Sequence, residues 1–329
     1  MQLIQRFLTA CFPDEVIRLE PITGDASFRR YFRFSTAQRS YILMDAPTPA
    51  EDCSRFVATQ QAFAEAGLQV PQIIAQDLQQ GVLLLSDLGD TLLLSRLTKD
   101  SVTAFYRQAF SLLTQVRTIS ATTAGPLPAF DQAFLLREMQ IFIDWFVLQH
   151  LQLTINEQEQ AMLQRHFLWL AESALQQPQA GMHRDYHSRN LMVQPGERLA
   201  VIDFQDVVTG PVTYDAVSLL KDCYIKWPSE LVQALSHEFY LELLSQDELS
   251  ADVSPEQFRQ WFDWMGLQRH IKVCGIFCRL YHRDGKAGYL ADLPRVFEYV
   301  LEVTSCYPQL QELDLWLKTK IKPALEAMA

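Results

Sequence analysis

Within residues 181–206, GMHRDYHSRNLMVQPGERLAVIDFQD, two carboxylates and an amide stand at a spacing that can run phosphoryl transfer. That chemistry needs one carboxylate to orient an acceptor hydroxyl and take its proton. It also needs hard oxygen ligands to hold Mg2+ against the donor's phosphates. Asp185 is the candidate for the first task, with His183 bracing its loop. Asn190, and Asp203 beyond two short apolar runs, are the candidates for the second. Residues 191–193 and 199–202 read as the strands of a hairpin around residues 194–198, which brings Asn190 and Asp203 to one metal ion. A lone HxD pair would read as an ordinary polar loop. The ordered set on a loop, a hairpin and a turn carries the reading of phosphoryl transfer from ATP.

The elements that must position these groups follow in chain order. Residues 2–11 read as a short amphipathic helix, 16–22 as a strand, 28–34 as a strand interleaving aromatic and basic residues, and 40–45 as a third strand. Between the first two strands, Gly24, Asp25, Ala26 and Ser27 form a small-residue turn suited to covering ATP phosphates with backbone N–H groups. Residues 51–66 have helical periodicity, ended by Gly67, and the apolar strand 81–86 is broken by Asp87. Ser86, Asp87 and Leu88 are expected to form a hinge whose backbone meets the adenine edge. Residues 1–88 thus predict a nucleotide-binding lobe with a sheet and one long helix. Residues 89–329 predict a larger helical lobe carrying the catalytic hairpin and the acceptor site. Its helices are expected at 101–119, 133–150, 156–175 (Asn156 as N-cap), from Tyr214, and at 229–246, 255–282 and 308–327, with loops at 121–130 and 207–211. The aromatic-rich stretch 258–277 reads as core. The fold class is α+β, bilobal and protein-kinase-like.

Bulk properties narrow the field. A chain of 329 residues suggests about two domains. A net charge of −11 excludes the basic stripe a nucleic-acid binder needs. No run of eighteen apolar residues spans a membrane, and the N-terminus is too short and interrupted for a signal peptide, so a cytoplasmic monomer is expected. The six cysteines are scattered through apolar stretches, which reads as small buried hydrophobes rather than a disulfide or zinc framework. With only six residues between Asp203 and Gly210 and no A-P-E triplet after them, there is no activation segment, so the acceptor is a small molecule rather than a protein.

HRDYHSRN, VIDFQD and GPVTYD together resemble the aminoglycoside phosphotransferase and choline-kinase-like superfamily. More narrowly, GDASFRRYFR, YILMDAP, LQVPQIIAQD, LLLSDLG, HRDYHSRNLMV and IDFQDVVTGPVTYDAVSLLKDCYIKWP run in the order of the anomeric N-acetylmuramate/N-acetylglucosamine kinases. The resemblance covers most of residues 20–230. It implies ATP- and Mg2+-dependent phosphorylation of the anomeric hydroxyl of an amino sugar, giving the sugar 1-phosphate in peptidoglycan recycling. Carried onto this chain, it makes Asp185 the general base, makes Asn190 and Asp203 the metal ligands, and gives Asp215 a helix-capping role. Asp206 stays open between a contact behind the metal and a solvated loop acid.

One departure stands out. The superfamily's third strand carries a lysine for the α- and β-phosphates, but here that strand reads YILMDAP and no lysine occurs before Lys99. Arg30 and Arg33 on the preceding strand are the candidates to replace it, Arg30 first, with Arg29 on the other face. N-acetylmuramate carries a carboxylate, so its pocket should hold a cation: Arg189, Lys221, Arg279 or Arg283. Tyr214, Tyr224 and Trp227 could stack on sugar faces, and His187 and Gln205 could reach sugar hydroxyls. Two other readings stay open. An aminoglycoside or choline-type phosphotransferase would line its pocket with acids, and a nucleotide-binding pseudokinase would account for the missing lysine.

Overall fold

The computed structural model describes residues 2–22, 29–46 and 53–328. The small-residue turn with Gly24, Asp25, Ala26 and Ser27 lies outside them. A small antiparallel sheet with its helices precedes a larger, mostly helical part, the α+β two-lobed arrangement expected.

The first part comprises α1 (Gln2–Cys11), β1 (Leu19–Ile22), β2 (Arg30–Ser35), β3 (Ser40–Asp45), α2 (Cys53–Glu65), β4 (Ile73–Asp77) and β5 (Val82–Ser86), with strand order β1-β2-β3-β5-β4. β5 is apolar throughout because both of its faces are covered. Val82 and Leu84 pack with Phe34, Leu43 and the α1 residues Ile4 and Leu8. Leu83 and Leu85 join Met44, Phe56 and Phe63 in a core continuous with the helical part. Period-two alternation therefore marks two different apolar layers rather than a wet and a dry face.

The second part contains α3 (Val102–Arg117), the short ribbon β6 (Ala121–Thr122) and β7 (Gly125–Pro126), α4 (Gln132–Ile141), α5 (Glu157–Leu175), and strands β8 (Gln179–Met182), β9 (Leu191–Val193), β10 (Leu199–Val201) and β11 (Val208–Pro211). Helices α6 (Tyr214–Leu220), α7 (Ser229–Ser245), α8 (Pro255–Asp284), α9 (Leu293–Cys306), α10 (Gln311–Trp316) and α11 (Lys322–Glu326) complete it. Asn156 caps α5 as expected, in a reciprocal pair with Glu159. α8 is the axis of this part, and Phe258, Trp261, Phe262, Trp264, Met265, Ile271, Val273 and Phe277 are all buried in it. Cys274 and Cys278 are buried too, and no group of three or more His, Cys, Asp or Glu is gathered as a metal site among the described residues.

Several elements differ from the sequence reading, among them the β6–β7 ribbon within residues 121–130, read as a loop. Residues 207–211, read as a loop, contain β11, which pairs with β8 from Val208↔Met182 to Pro211↔Gln179. Helix α9 was not anticipated; it buries Leu293, Val296, Phe297, Val300 and Val303. The chain also changes pitch after α4, continuing as a π-helical segment over Phe142–His150. That change falls where α8 crosses. A Cβ added at Gly275 would meet the Ile141 carbonyl oxygen at 2.4 Å and the Phe142 nitrogen at 2.6 Å, so only glycine allows the two backbones to touch there.

Candidate active site

β9 and β10 pair in the expected hairpin, Leu191 opposite Val201 and Val193 opposite Leu199. Its closure brings the two ends together: the Ile202 amide donates to the Asn190 carbonyl at 3.0 Å. Asn190 Nδ2 then lies 3.4 Å from Asp203 Oδ2 and donates to the Asp185 carbonyl at 2.9 Å. The three predicted residues thus share one locus. His183 is fully buried and bonded through Nε2 to the Ile202 carbonyl at 3.0 Å, with its ring against Phe63 and Tyr186. It ties the loop to Ile202, just after β10 and before Asp203, and is fully enclosed.

Two non-glycine residues here take left-handed backbone, Arg184 at φ 75° and Asp203 at φ 61°. Such conformations cost on the order of 1–3 kcal/mol each and persist where surrounding contacts fix them. At Arg184, Asp215 supplies those contacts. Its carboxylate accepts the amides of His183 at 2.6 Å and Arg184 at 3.0 Å, so it clasps the catalytic loop rather than capping α6. A second buried carboxylate, Asp222, accepts the amide and hydroxyl of Ser188 at 2.9 and 2.5 Å. Sequence reasoning missed Asp222. The motif logic assigns functions within the loop and gives no signal for an anchor thirty-four residues downstream.

The two carboxylates of the site are set apart electrostatically. Burial pushes the Asp185 carboxyl up, but the charges of Lys272, Arg184 and Arg269 outweigh it and hold the group down at about 2. Burial and the nearby Asp185 push Asp203 up to about 6, against the hydrogen bond from Gln205 Nε2 at 2.7 Å. Asp203 is nonetheless open to the cleft, so water reaches it. An anionic carboxylate crowded by another, beside an amide oxygen, fits Mg2+, which takes few protein oxygens and completes its shell with phosphate and water.

The remaining predicted residues divide. Arg30 is paired with Asp45 across the β2–β3 ladder. Arg33 forks between two acids, with Nε to Asp87 Oδ2 at 2.7 Å and Nη2 to Asp90 Oδ1 at 2.8 Å. The cation that acts on Asp203 is Arg29, whose guanidinium lies 5.9 Å over Phe56; Phe56 in turn packs at 5.1 Å on Phe204. At the hinge, the Ser86 amide and hydroxyl both engage Gln72 at 2.8 Å, and the Leu88 carbonyl accepts from Gln194 at 2.7 Å.

Among acceptor candidates, Tyr214 is fully buried, its hydroxyl 3.3 Å from Lys272 Nζ, and has no face to offer a sugar; Trp227, buried and donating to Tyr106, has none either. Lys221 pairs with Asp263 at 2.7 Å and Arg283 with Asp284 at 2.8 Å. Tyr224 is sandwiched by His187 at 5.3 Å and the Arg189 guanidinium at 4.6 Å. Burial holds His187 down at about 4, so it is neutral. Asp206 lies 4.0 Å from Arg55 of α2. Arg279 lines a cavity of ≈ 250 Å³ with Arg184 and Lys272. The larger cavity, ≈ 400 Å³, lies between residues 88–91 and the hairpin turn; neither cavity is lined by Asp185, Asn190 or Asp203, but the smaller adjoins the catalytic loop through Arg184.

The model of the phosphotransferase enzyme family (APH) matches residues 18–249. An N-acetylmuramate/N-acetylglucosamine kinase of Pseudomonas aeruginosa is 41% identical over 325 residues, covering 95% of this chain and 94% of its own. One from Neisseria meningitidis is 34% identical over 315 residues, covering 94% and 92%. Among solved structures, a Plasmodium vivax ethanolamine kinase superposes with a TM-score of 0.63 at 12% identity, covering 90% of this chain and 84% of that one. The choline kinase LicA from Streptococcus pneumoniae gives 0.62 at 15%, covering 92% and 98%. At those identities the structural likeness speaks for the fold alone.

Proposed function

The chain belongs to the phosphotransferase enzyme family, and from that premise we propose that it uses ATP and Mg2+ to phosphorylate the anomeric hydroxyl of N-acetylmuramate and N-acetylglucosamine. The observation that carries this reading is the convergence of Asp185, Asn190 and Asp203 at one end of the catalytic hairpin in a chain similar to kinases of that name. The product, a sugar 1-phosphate, would serve peptidoglycan recycling in the cytoplasm. The nucleotide is assigned to residues 1–88 and the hinge backbone, the sugar to residues 89–329.

In this reading Asn190 and Asp203 hold Mg2+, which neutralises charge on the transferring phosphoryl group. Asp185 stays anionic at any working pH and accepts a hydrogen bond from the anomeric hydroxyl. Its low proton affinity makes it chiefly an orienting group. It takes the proton late, as the sugar oxygen bonds to the γ-phosphorus and the bond to the β–γ bridging oxygen breaks, releasing ADP. Arg29, whose charge favours the ionised form of Asp203, is assigned the phosphate contact that a lysine makes elsewhere in the superfamily. The pseudokinase reading, suggested by the missing lysine, is weakened because the base and both ligands are intact, and turnover of ATP with sugar would eliminate it.

The test is a coupled ADP-release assay with N-acetylmuramate, N-acetylglucosamine, kanamycin and choline, with the product phosphate located by NMR. Turnover of the amino sugars with phosphate at C1 is expected. Turnover of only a cation would move the chain to the aminoglycoside or choline branch, and phosphate on another carbon would remove the anomeric assignment.

A further inference from the structure

The cavity beside the catalytic loop has an unusual charge. Phe134, Arg137, Glu138 and Ile141 form one face of α4, and Lys272, Ile276 and Arg279 one face of α8, with Arg184 of the catalytic loop at the side. Both sets follow helical i, i+3, i+4, i+7 spacing, so the cavity is a cleft between two helices, fixed by their contact at Gly275. Four cations face one carboxylate. Glu138 is spent on two of them, 2.9 Å from Arg184 and 3.0 Å from Lys272. Arg137 and Arg279 are in no ion pair among the described residues. Arg137 rests its guanidinium on the Phe134 ring at 5.2 Å, and the Arg279 Nε is buried with no hydrogen-bond partner. Burial and the neighbouring Arg283 disfavour charge on Arg279 by more than Asp284 and Glu138 favour it, and an anion in the cleft would offset that cost.

The cleft also adjoins the catalytic loop. Arg184 adjoins Asp185 in sequence, and Lys272 exerts the largest attraction of any neighbour on the Asp185 carboxylate. An acceptor whose hydroxyl meets Asp185 can therefore extend a substituent into a net-positive slot.

We propose that this cleft is the subsite for a carboxylate on the acceptor sugar, and that Arg137 and Arg279 set the preference for an acceptor bearing a lactyl ether carboxylate over its neutral counterpart. The inference rests on the amino-sugar reading above and adds to it the residues that tell the two sugars apart. A cationic acceptor, by contrast, would meet charge of its own sign here. Glu138 has a supporting part: it fixes Arg184 and Lys272 in the wall without cancelling the two outer guanidiniums.

The test compares kcat/KM on N-acetylmuramate, its methyl ester and N-acetylglucosamine for the wild type, Arg137→Gln, Arg279→Gln and the double variant. Charge-assisted hydrogen bonds of this kind set the scale. The ratio of N-acetylmuramate to N-acetylglucosamine specificity is expected to fall at least about tenfold in the double variant, through KM for N-acetylmuramate. The methyl ester should show on the wild type the same loss that the acid shows on the variant, which needs no substitution to fold. An unchanged ratio, or equal losses on all three acceptors, overturns the subsite while leaving the kinase reading in place. A wild type that turns over none of the three overturns both.

Discussion

At the scale of single residues, the site separates two carboxylates by environment. Asp185, held at about 2, is charged at any working pH, so Asp185→Asn should lower kcat by about a hundred- to ten-thousand-fold while nucleotide binding, read by titration calorimetry, is retained. Asp203 is shifted the other way, towards 6. Its ionised form is the costly one in the fold, so it binds a proton more tightly than a free carboxyl, and a metal must compete with that proton. Apparent Mg2+ affinity, read from turnover against Mg2+ concentration, should hold above pH 6 and fall below it by up to about tenfold per pH unit. A profile flat down to pH 5 would show that Asp203 is not the group the metal displaces a proton from. If Arg29 makes the proposed phosphate contact, Arg29→Ala should raise KM for ATP more than Arg30→Ala does, because Arg29 is the arginine of this strand whose charge is felt at Asp203.

At the scale of elements, the catalytic loop is a strained segment clasped by acids on the helical side. Asp215→Ala leaves the amides of His183 and Arg184 without their acceptor in a fully buried place. It should cost about 1–3 kcal/mol of stability, read by denaturant unfolding, and lower kcat as well. What was legible in sequence follows the same geography. Asp185, Asn190 and Asp203 could be read because nineteen residues of consecutive chain, a loop and a tight hairpin, fix their geometry. The core role of residues 258–277 was legible from helical spacing and holds in α8. The cleft residues Arg137, Glu138 and Lys272 were not, since their helices are more than a hundred residues apart and meet only through tertiary packing. β11 escaped because its partner β8 lies upstream of the whole catalytic segment and its own Gly210-Pro211 reads as a breaker. Arg30 and Arg33 were assigned to phosphate because spacing reveals a side chain's face but not the acid waiting on it.

At the scale of the whole molecule, Arg33 fastens β2 to Asp87 and Asp90 on either side of Gly89, where the sheet hands over to the helical part. Arg33→Ala should speed amide exchange across residues 86–91 and raise KM for ATP severalfold without moving the acceptor preference. A shifted sugar ratio instead would mean that hinge and acceptor cleft are coupled. The acceptor cleft has a different ancestry of parts. Its walls come from α4, α8 and Arg184, with none from the sheet that is assigned the nucleotide. In the proposed assignment, donor and acceptor fall on separate stretches of chain, joined by a catalytic loop that serves both. A lineage can rewrite the facing positions of two helices, trading a clamp for acids or aromatics, and acquire a new metabolite while its phosphate machinery stays as inherited.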